Sequence, residues 1–268
     1  MNDARLLSRV LEVVLSAGKL LAAEWGRPGG PRGEGDKAEV DAEIEAQLRG
    51  DLLNLLNCDF WGEETGHRLS GAEYCWVVDP NDGTRDFLQG HRGSALSVGL
   101  LRNAVPVLGV VYAPTTDKGP DCISWATGLV GIMRNDQIVL TRLEDRVLAA
   151  DSKVMMSMAA NIKPEMNAAL CAPAAVVPMP SIAYRLARVA AGDAVACASL
   201  VPVSAHDIVA GHALMIGAGG VLLDQEGKPI KYDSKARLSQ SSLRCFGGAS
   251  QACKPLVRRD WDSLFRAS

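Results

Sequence analysis

A chain of 268 residues suits one large domain or two small lobes and can bury a substantial core. Its 28 basic and 31 acidic side chains leave a net charge of −3. With no basic surplus to meet a phosphate backbone, a free polynucleotide partner is not expected, and a single nucleotide stays open.

The N-terminal residues 3–25 place Leu6, Val10, Val13, Val14, Ala17, Leu20 and Leu21 at helical spacing along one face. This amphipathic pattern lacks the basic-then-apolar order of a signal peptide. No apolar run approaches the roughly 20 residues that span a bilayer, so no membrane partner is expected. Gly26 and the Gly- and Pro-rich residues 27–36 predict a flexible surface loop. A second helix over 39–56 begins with acidic residues, which suit the positive end of its dipole, and aligns Val40, Ile44, Leu48, Leu52 and Leu55. The period then changes. Residues 74–79 predict a strand ending in Asp79, with Pro80 stopping its ladder. Residues 94–101 and 105–112 predict two more strands, joined at Arg102, Asn103 and Ala104. Further strands are expected over 122–151. A helix follows over 181–192, then a strand over 194–198, a helix over 206–217 and a strand over 221–223. This alternation, partly in hairpins, predicts a layered α/β or α+β architecture. Pro-rich residues 172–180 are the candidate boundary between lobes 1–170 and 181–268, within a single unit over 1–268. Seven cysteines, an odd number with no C-x-x-C pair, fit a reduced, cytoplasmic protein.

Chemistry concentrates in Asp79-Pro80-Asn81-Asp82-Gly83-Thr84-Arg85-Asp86-Phe87. A strand delivers Asp79, and Asp82 follows three residues later. Gly83 and Thr84 can then open a helical turn with outward backbone N–H groups. Two hard oxygen ligands thus lie beside an anion site, an arrangement that suits Mg²⁺ and a phosphate together. Glu63 and Glu64 form a second acidic pair upstream. Asp207 opens a helix, and Asp41 lies on the second helix. Each has a structural alternative: a turn, a solvated face or an N-cap.

Taken in order, these motifs resemble the inositol monophosphatase superfamily. The resemblance rests on Asp79-Pro-x-Asp82-Gly-Thr-x-Asp-Phe87, on Gly62-Glu63-Glu64 upstream, and on Asp207-Ile-Val-Ala-Gly-His-Ala-Leu followed by Ala218-Gly219-Gly220. It extends from the first helix to about Tyr232 and takes in residues 106–114 and 181–192. It implies an α-β-α-β-α sandwich and a Li⁺-sensitive hydrolase that removes phosphate from small molecules with two or three Mg²⁺ ions. It further implies that Glu63, Asp79, Asp82 and Asp207 hold metal, with the Asn81 carbonyl as a fifth ligand. Asp41 and Thr84 would orient the attacking water, with Glu63 also in the catalytic group. Gly83 and Thr84 would present N–H groups to a phosphate gathered beside Asp82 and Asp207. Glu64 would stand behind these or near a further metal. A homodimer is common in the superfamily, but no apolar stripe here marks an interface.

The chain departs from the family pattern in four places. Ala38 stands where many relatives carry Thr, which leaves Asp41 the rival reading of a surface carboxylate among Glu39, Glu43 and Glu45. His206 replaces a common Trp and is either a polar pocket wall or a neutral capping histidine. Leu200 falls where inositol-specific members place a Glu, which argues against inositol monophosphate. Arg85-Asp86 resembles the bisphosphate nucleotidase branch and favours 3′-phosphoadenosine 5′-phosphate or a related nucleotide over a sugar or polyol phosphate. Arg185 has two readings, a contact to a second phosphate or a solvated helix residue.

Other classes fit less well. Ser97 lies in a partial G-x-S-x-G pattern inside an apparent buried strand, where packing explains it. His67, His91, His206 and His212 form no H-x-x-x-H pair for zinc. A non-catalytic phosphate-binding module would be expected to lose metal carboxylates, and all four are present.

Overall fold

A computed structural model describes residues 3–266. The first half opens with helix α1 (Asp3–Trp25), a short hairpin of β1 (Gly33–Glu34) and β2 (Lys37–Ala38), and helix α2 (Glu39–Leu55). The loop expected over 27–36 therefore ends in paired backbone. Eight strands follow: β3 (Asp59–Gly62), β4 (His67–Arg68), β5 (Tyr74–Asp82), β6 (Ala95–Arg102), β7 (Val105–Ala113), β8 (Asp121–Ala126), β9 (Ile132–Arg134) and β10 (Gln137–Val139). The short helix α3 (Thr84–Leu88) leaves β5 directly. The strands form one sheet in the order β10-β9-β8-β7-β6-β5-β3-β4, antiparallel throughout except for β3 beside β5. Asn103 and Ala104, both at positive φ, make the two-residue turn between β6 and β7. Such a turn matches the twist of its flanking strands.

The second half holds β11 (Lys153–Met156), α4 (Pro164–Cys171), β12 (Ala175–Pro178), α5 (Ile182–Ala190), β13 (Ala196–Ser199), α6 (Ala205–Gly217), β14 (Val221–Asp224), α7 (Lys235–Ser239), β15 (Cys245–Gly248) and α8 (Ser250–Val257). Its five strands order as β12-β11-β13-β15-β14. Residues 172–180, expected as a lobe boundary, contribute β12 to this sheet, and the passage between sheets falls earlier, before Lys153. Pro178 sits on the edge strand, where a residue without N–H is tolerated.

The layers follow from side-chain alternation along the strands. On β5, Trp76 and Val78 join the core under α1 and α2, while Val77 faces the core built on α5 and α6. On β15, Gly247 lies against Leu186 of α5, whereas Phe246 meets Trp261 beyond α8. The order is helix pair, large sheet, helix pair, small sheet, helices, the expected sandwich. Two glycines let α6 sit close to the large sheet. A Cβ on Gly99 would lie 2.6 Å from Val209, and one on Gly109 would lie 2.3 Å from the Ala210 carbonyl. This close seating brings the first turn of α6, with Asp207, toward the end of β5.

Candidate metal centre

Strand β5 does not stop at Pro80. It pairs Asp79 with Ser97 and then Asp82 with Ala95, with a register shift between. Pro80 has no N–H to give the ladder, so the chain bulges there and keeps both aspartates at one strand end. Asp79 is 1% exposed and accepts the Asn81 amide at 2.8 Å. Asp82 Oδ2 accepts the Ser181 hydroxyl and the Ala183 amide, each at 2.6 Å. These donors come from the start of α5, so the second half orients a carboxylate of the first. Ser181 adopts positive φ to do this. Gly83, at φ +95°, packs beneath it, and a Cβ there would lie 2.9 Å from the Ser181 nitrogen.

Asp207 enters from the first turn of α6, where its carboxylate accepts the Ser204 amide at 2.5 Å. Glu63 follows β3. Their carboxylates meet the β5 pair in a cleft of about 280 Å³ also lined by Asp36, Asn81, Gly83, Thr84 and Arg85. Two donor sets have all their ligand atoms within 4.8 Å of one another: Asp79 with Asp82 and Asp207, and Asp79 with Glu63 and His206. Asp79 belongs to both.

Crowding shows in the protonation of these groups. Burial first, then the Asp207 charge, raises Asp82 to about 6. Burial likewise raises Asp207 to about 6, against the Ser204 amide and the Arg185 charge, which pull it down. Glu63 is exposed as a residue, yet burial of its carboxylate end raises it to about 8. The charges of Asp207, Glu64 and Asp82 add to this, and a hydrogen bond with Asp79 opposes it. Asp79, fully enclosed, is pushed well above the usual carboxylate range by burial and then by Glu63 and Asp82. A bound cation would favour the ionised form of such a cluster, and its all-oxygen set of Asp79, Asp82 and Asp207 has the hard-donor chemistry that Mg²⁺ takes.

Asp41 is 2% exposed, so the surface-carboxylate reading does not hold. It stands in the first turn of α2. Its Oδ2 accepts the Ala38 amide at 3.1 Å and the Thr84 hydroxyl at 3.2 Å, and its Oδ1 accepts Asn81 Nδ2 at 3.0 Å. Burial raises it to about 6. Thr84 Oγ1 also lies 2.7 Å from the Asn81 carbonyl. One hydroxyl proton thus has two acceptors.

Two residues have roles that their sequence context hid. Glu45, fully buried, accepts the amides of Glu64 at 2.9 Å and Thr65 at 2.5 Å and the Thr65 hydroxyl at 2.6 Å. It holds the turn that carries Glu63. Its spacing from Asp41, four residues, on the same stripe as Ile44 and Leu48, was the available signal. Arg185 is neither a phosphate contact nor a solvated helix residue. It is 3% exposed and donates to the carbonyls of Met179 at 2.9 Å and Pro180 at 3.2 Å, so it neither faces solvent nor reaches into the cleft. It braces the turn that presents Ser181 to Asp82. Ser97 donates to the His206 carbonyl at 3.1 Å, a packing role. Leu200 is half-buried against the core.

Fold and site together define a layered helix-and-sheet protein with a carboxylate cluster that could hold metal ions at the end of its large sheet. The chain belongs to the inositol monophosphatase family, whose profile matches residues 5–253. Members of this family are Mg²⁺-dependent phosphoric monoester hydrolases. An Aquifex aeolicus fructose-1,6-bisphosphatase/inositol-1-monophosphatase is 34% identical over 122 residues, covering 42% of this chain and 46% of that one. A Mesorhizobium japonicum inositol-1-monophosphatase is 28% identical over 257 residues, covering 87% and 91%. The chain spans less than half the length of several of the curated relatives it matches. Among solved structures, a Thermotoga maritima IMPase superposes with a TM-score of 0.77 at 21% identity, covering 95% of this chain and 96% of that one. The extragenic suppressor protein suhB from Bartonella henselae does so at 0.77 and 22%, covering 95% and 97%.

Proposed function

We propose that this protein hydrolyses a small phosphate monoester with Mg²⁺ held by Glu63, Asp79, Asp82, Asp207 and the Asn81 carbonyl. The observation that carries this reading is the convergence of four carboxylates whose affinity for protons is raised by burial and, for Asp79, Asp82 and Glu63, also by neighbouring carboxylates. Bound Mg²⁺ supplies Lewis-acid stabilisation of phosphoryl charge and a more acidic water. Asp41, raised to about 6, accepts the Thr84 hydroxyl proton and leaves the Thr84 oxygen able to accept a proton from water. A general base titrating near the working pH suits that role. Asn81 steers Asp41 through its amide, and Glu45 and Ser181 hold Glu63 and Asp82 in register. The first amides of α3, after Gly83, have no partner within that helix and suit a phosphate oxygen.

Two substrate readings have support. The relatives, among them inositol-1-monophosphatases, point to inositol 1-phosphate or another polyol phosphate. Arg85, exposed and lining the cleft, and Leu200, which offers no acceptor to sugar hydroxyls, favour 3′-phosphoadenosine 5′-phosphate or a related nucleotide. The cysteine content favours a cytoplasmic setting. Phosphate release is measured from a panel of 3′-phosphoadenosine 5′-phosphate, inositol 1-phosphate, fructose 1,6-bisphosphate and histidinol phosphate, with Mg²⁺ and with EDTA. Release from one substrate well above the rest, abolished by EDTA, supports the reading. Release that EDTA leaves intact refutes the metal mechanism, and no release from folded, Mg²⁺-loaded protein favours a binding module.

A further inference from the structure

His206 stands at the head of α6, one residue before Asp207. Its sequence left two readings, a pocket wall or a capping histidine. The ring caps nothing. Nδ1 is buried and has no hydrogen-bond partner among the described residues. The other ring nitrogen lies 3.6 Å from Asp207 Oδ1, beyond hydrogen-bond length. The side chain is only 16% exposed, and its backbone is pinned to β6 by the Ser97 hydroxyl. A ring nitrogen, a Glu63 oxygen and an Asp79 oxygen all lie within 4.8 Å of one another. A mostly enclosed imidazole whose Nδ1 is unpartnered, whose other nitrogen lies beyond hydrogen-bond length of Asp207, and which places one nitrogen beside two carboxylates can give an electron pair to a metal ion.

We propose that His206 is a ligand to the ion between Glu63 and Asp79, making a mixed nitrogen–oxygen site that holds Co²⁺ or Zn²⁺ in preference to Mg²⁺. The proposal rests on the reading of the acidic cleft as a metal centre. The chemistry separates the two donor sets. Asp79, Asp82 and Asp207 offer oxygen alone, which Mg²⁺ favours, whereas imidazole nitrogen favours the later first-row divalent ions. The centre is then unsymmetrical, with one hard and one borderline position sharing Asp79.

The test uses Mg²⁺, Mn²⁺ and Co²⁺ alone as probes. Pulsed electron paramagnetic resonance of the Mn²⁺-loaded wild-type protein should show coupling to an imidazole nitrogen, and His206→Phe should remove it. Calorimetry should show Co²⁺ affinity falling at least about tenfold in His206→Phe, with Mg²⁺ affinity falling less than about threefold. His206→Gln, which keeps a polar side chain, should also lose the nitrogen coupling. Absence of nitrogen coupling in wild type, or an equal loss for Co²⁺ and Mg²⁺, overturns the proposal. If EDTA-sensitive phosphate release persists in wild type alongside either result, the metal-centre reading survives and only the ligand role of His206 falls. If wild type binds none of these ions and releases no phosphate, both fall.

Discussion

Two carboxylate-rich regions lie on either side of the turn at Pro180, and they differ in what neutralises them. The larger is a basin of about 1090 Å³ that includes Arg92, Lys118, Asp121, Arg134, Lys153, Arg188 and Asp193 in its walls. There Arg134 bonds Asp121 at 2.7 Å and Asp193 at 2.9 Å, Arg188 bonds Asp193 at 2.6 Å, and Tyr184 donates to Asp121 at 2.6 Å. Burial alone would raise Asp193, but the two guanidinium groups pull it below its usual value. In the smaller cleft, burial raises Asp79, Asp82, Asp207 and Glu63, and neighbouring carboxylate charges add to the shift of Asp79, Asp82 and Glu63. Carboxylates paired with arginine are neutralised within the fold, while the crowded carboxylates of the smaller cleft have no such partner among the described residues and suit a cation. Cavity size favours the basin as a site, and charge balance favours the smaller cleft.

The sharpest break of this contrast is Asp82→Asn. The amide oxygen can still accept from Ser181 and Ala183, so the fold should persist while turnover falls by about a thousandfold or more. Wild-type turnover in that variant would remove Asp82 from the metal centre. A smaller effect is expected from Glu45→Gln, which places an amide NH₂ against the N–H of either Glu64 or Thr65, since the two bond different oxygens of Glu45. Mg²⁺ affinity measured by calorimetry should weaken roughly 10- to 100-fold, and an unchanged value would show that the Glu63 turn holds itself.

Stability against pH sharpens the comparison further. Asp41, Asp82 and Asp207 rise from 3.8 to about 6, and Glu63 from 4.5 to about 8. Between those values the folded, metal-free protein holds protons that the unfolded chain has released, so its stability falls as pH rises from about 4 to about 8. The melting temperature in EDTA should drop by several degrees across that range, and Mg²⁺ should restore more of it at pH 8 than at pH 5. A Mg²⁺ effect of equal size at both would contradict the account. The smallest effect belongs to the basin. Arg134→Ala should cost about 1–2 kcal/mol of stability, read by denaturant unfolding, and leave Mg²⁺ affinity unchanged.

What the sequence discloses divides along the same line. Asp79 and Asp82 are legible because one strand and its bulge bring them together within four residues. The sandwich was legible from alternating periods and from the family resemblance. Ser181 and Ala183 were not, because they reach Asp82 across 99 and 101 residues and no local pattern marks them. Glu45 reads as a surface carboxylate because a carboxylate on a helix ordinarily faces water, and only tertiary packing buries it. Strand β12 was hidden by the Pro- and Ala-rich composition of 172–180, which lacks strand alternation.

The central claim is that the four crowded carboxylates gather around divalent cations. Anomalous diffraction from crystals grown with Mn²⁺ tests it directly. The account predicts strong peaks between Glu63, Asp79, Asp82 and Asp207, which vanish on exchange into EDTA. Well-ordered carboxylates with no anomalous peak among them at millimolar Mn²⁺ would contradict it.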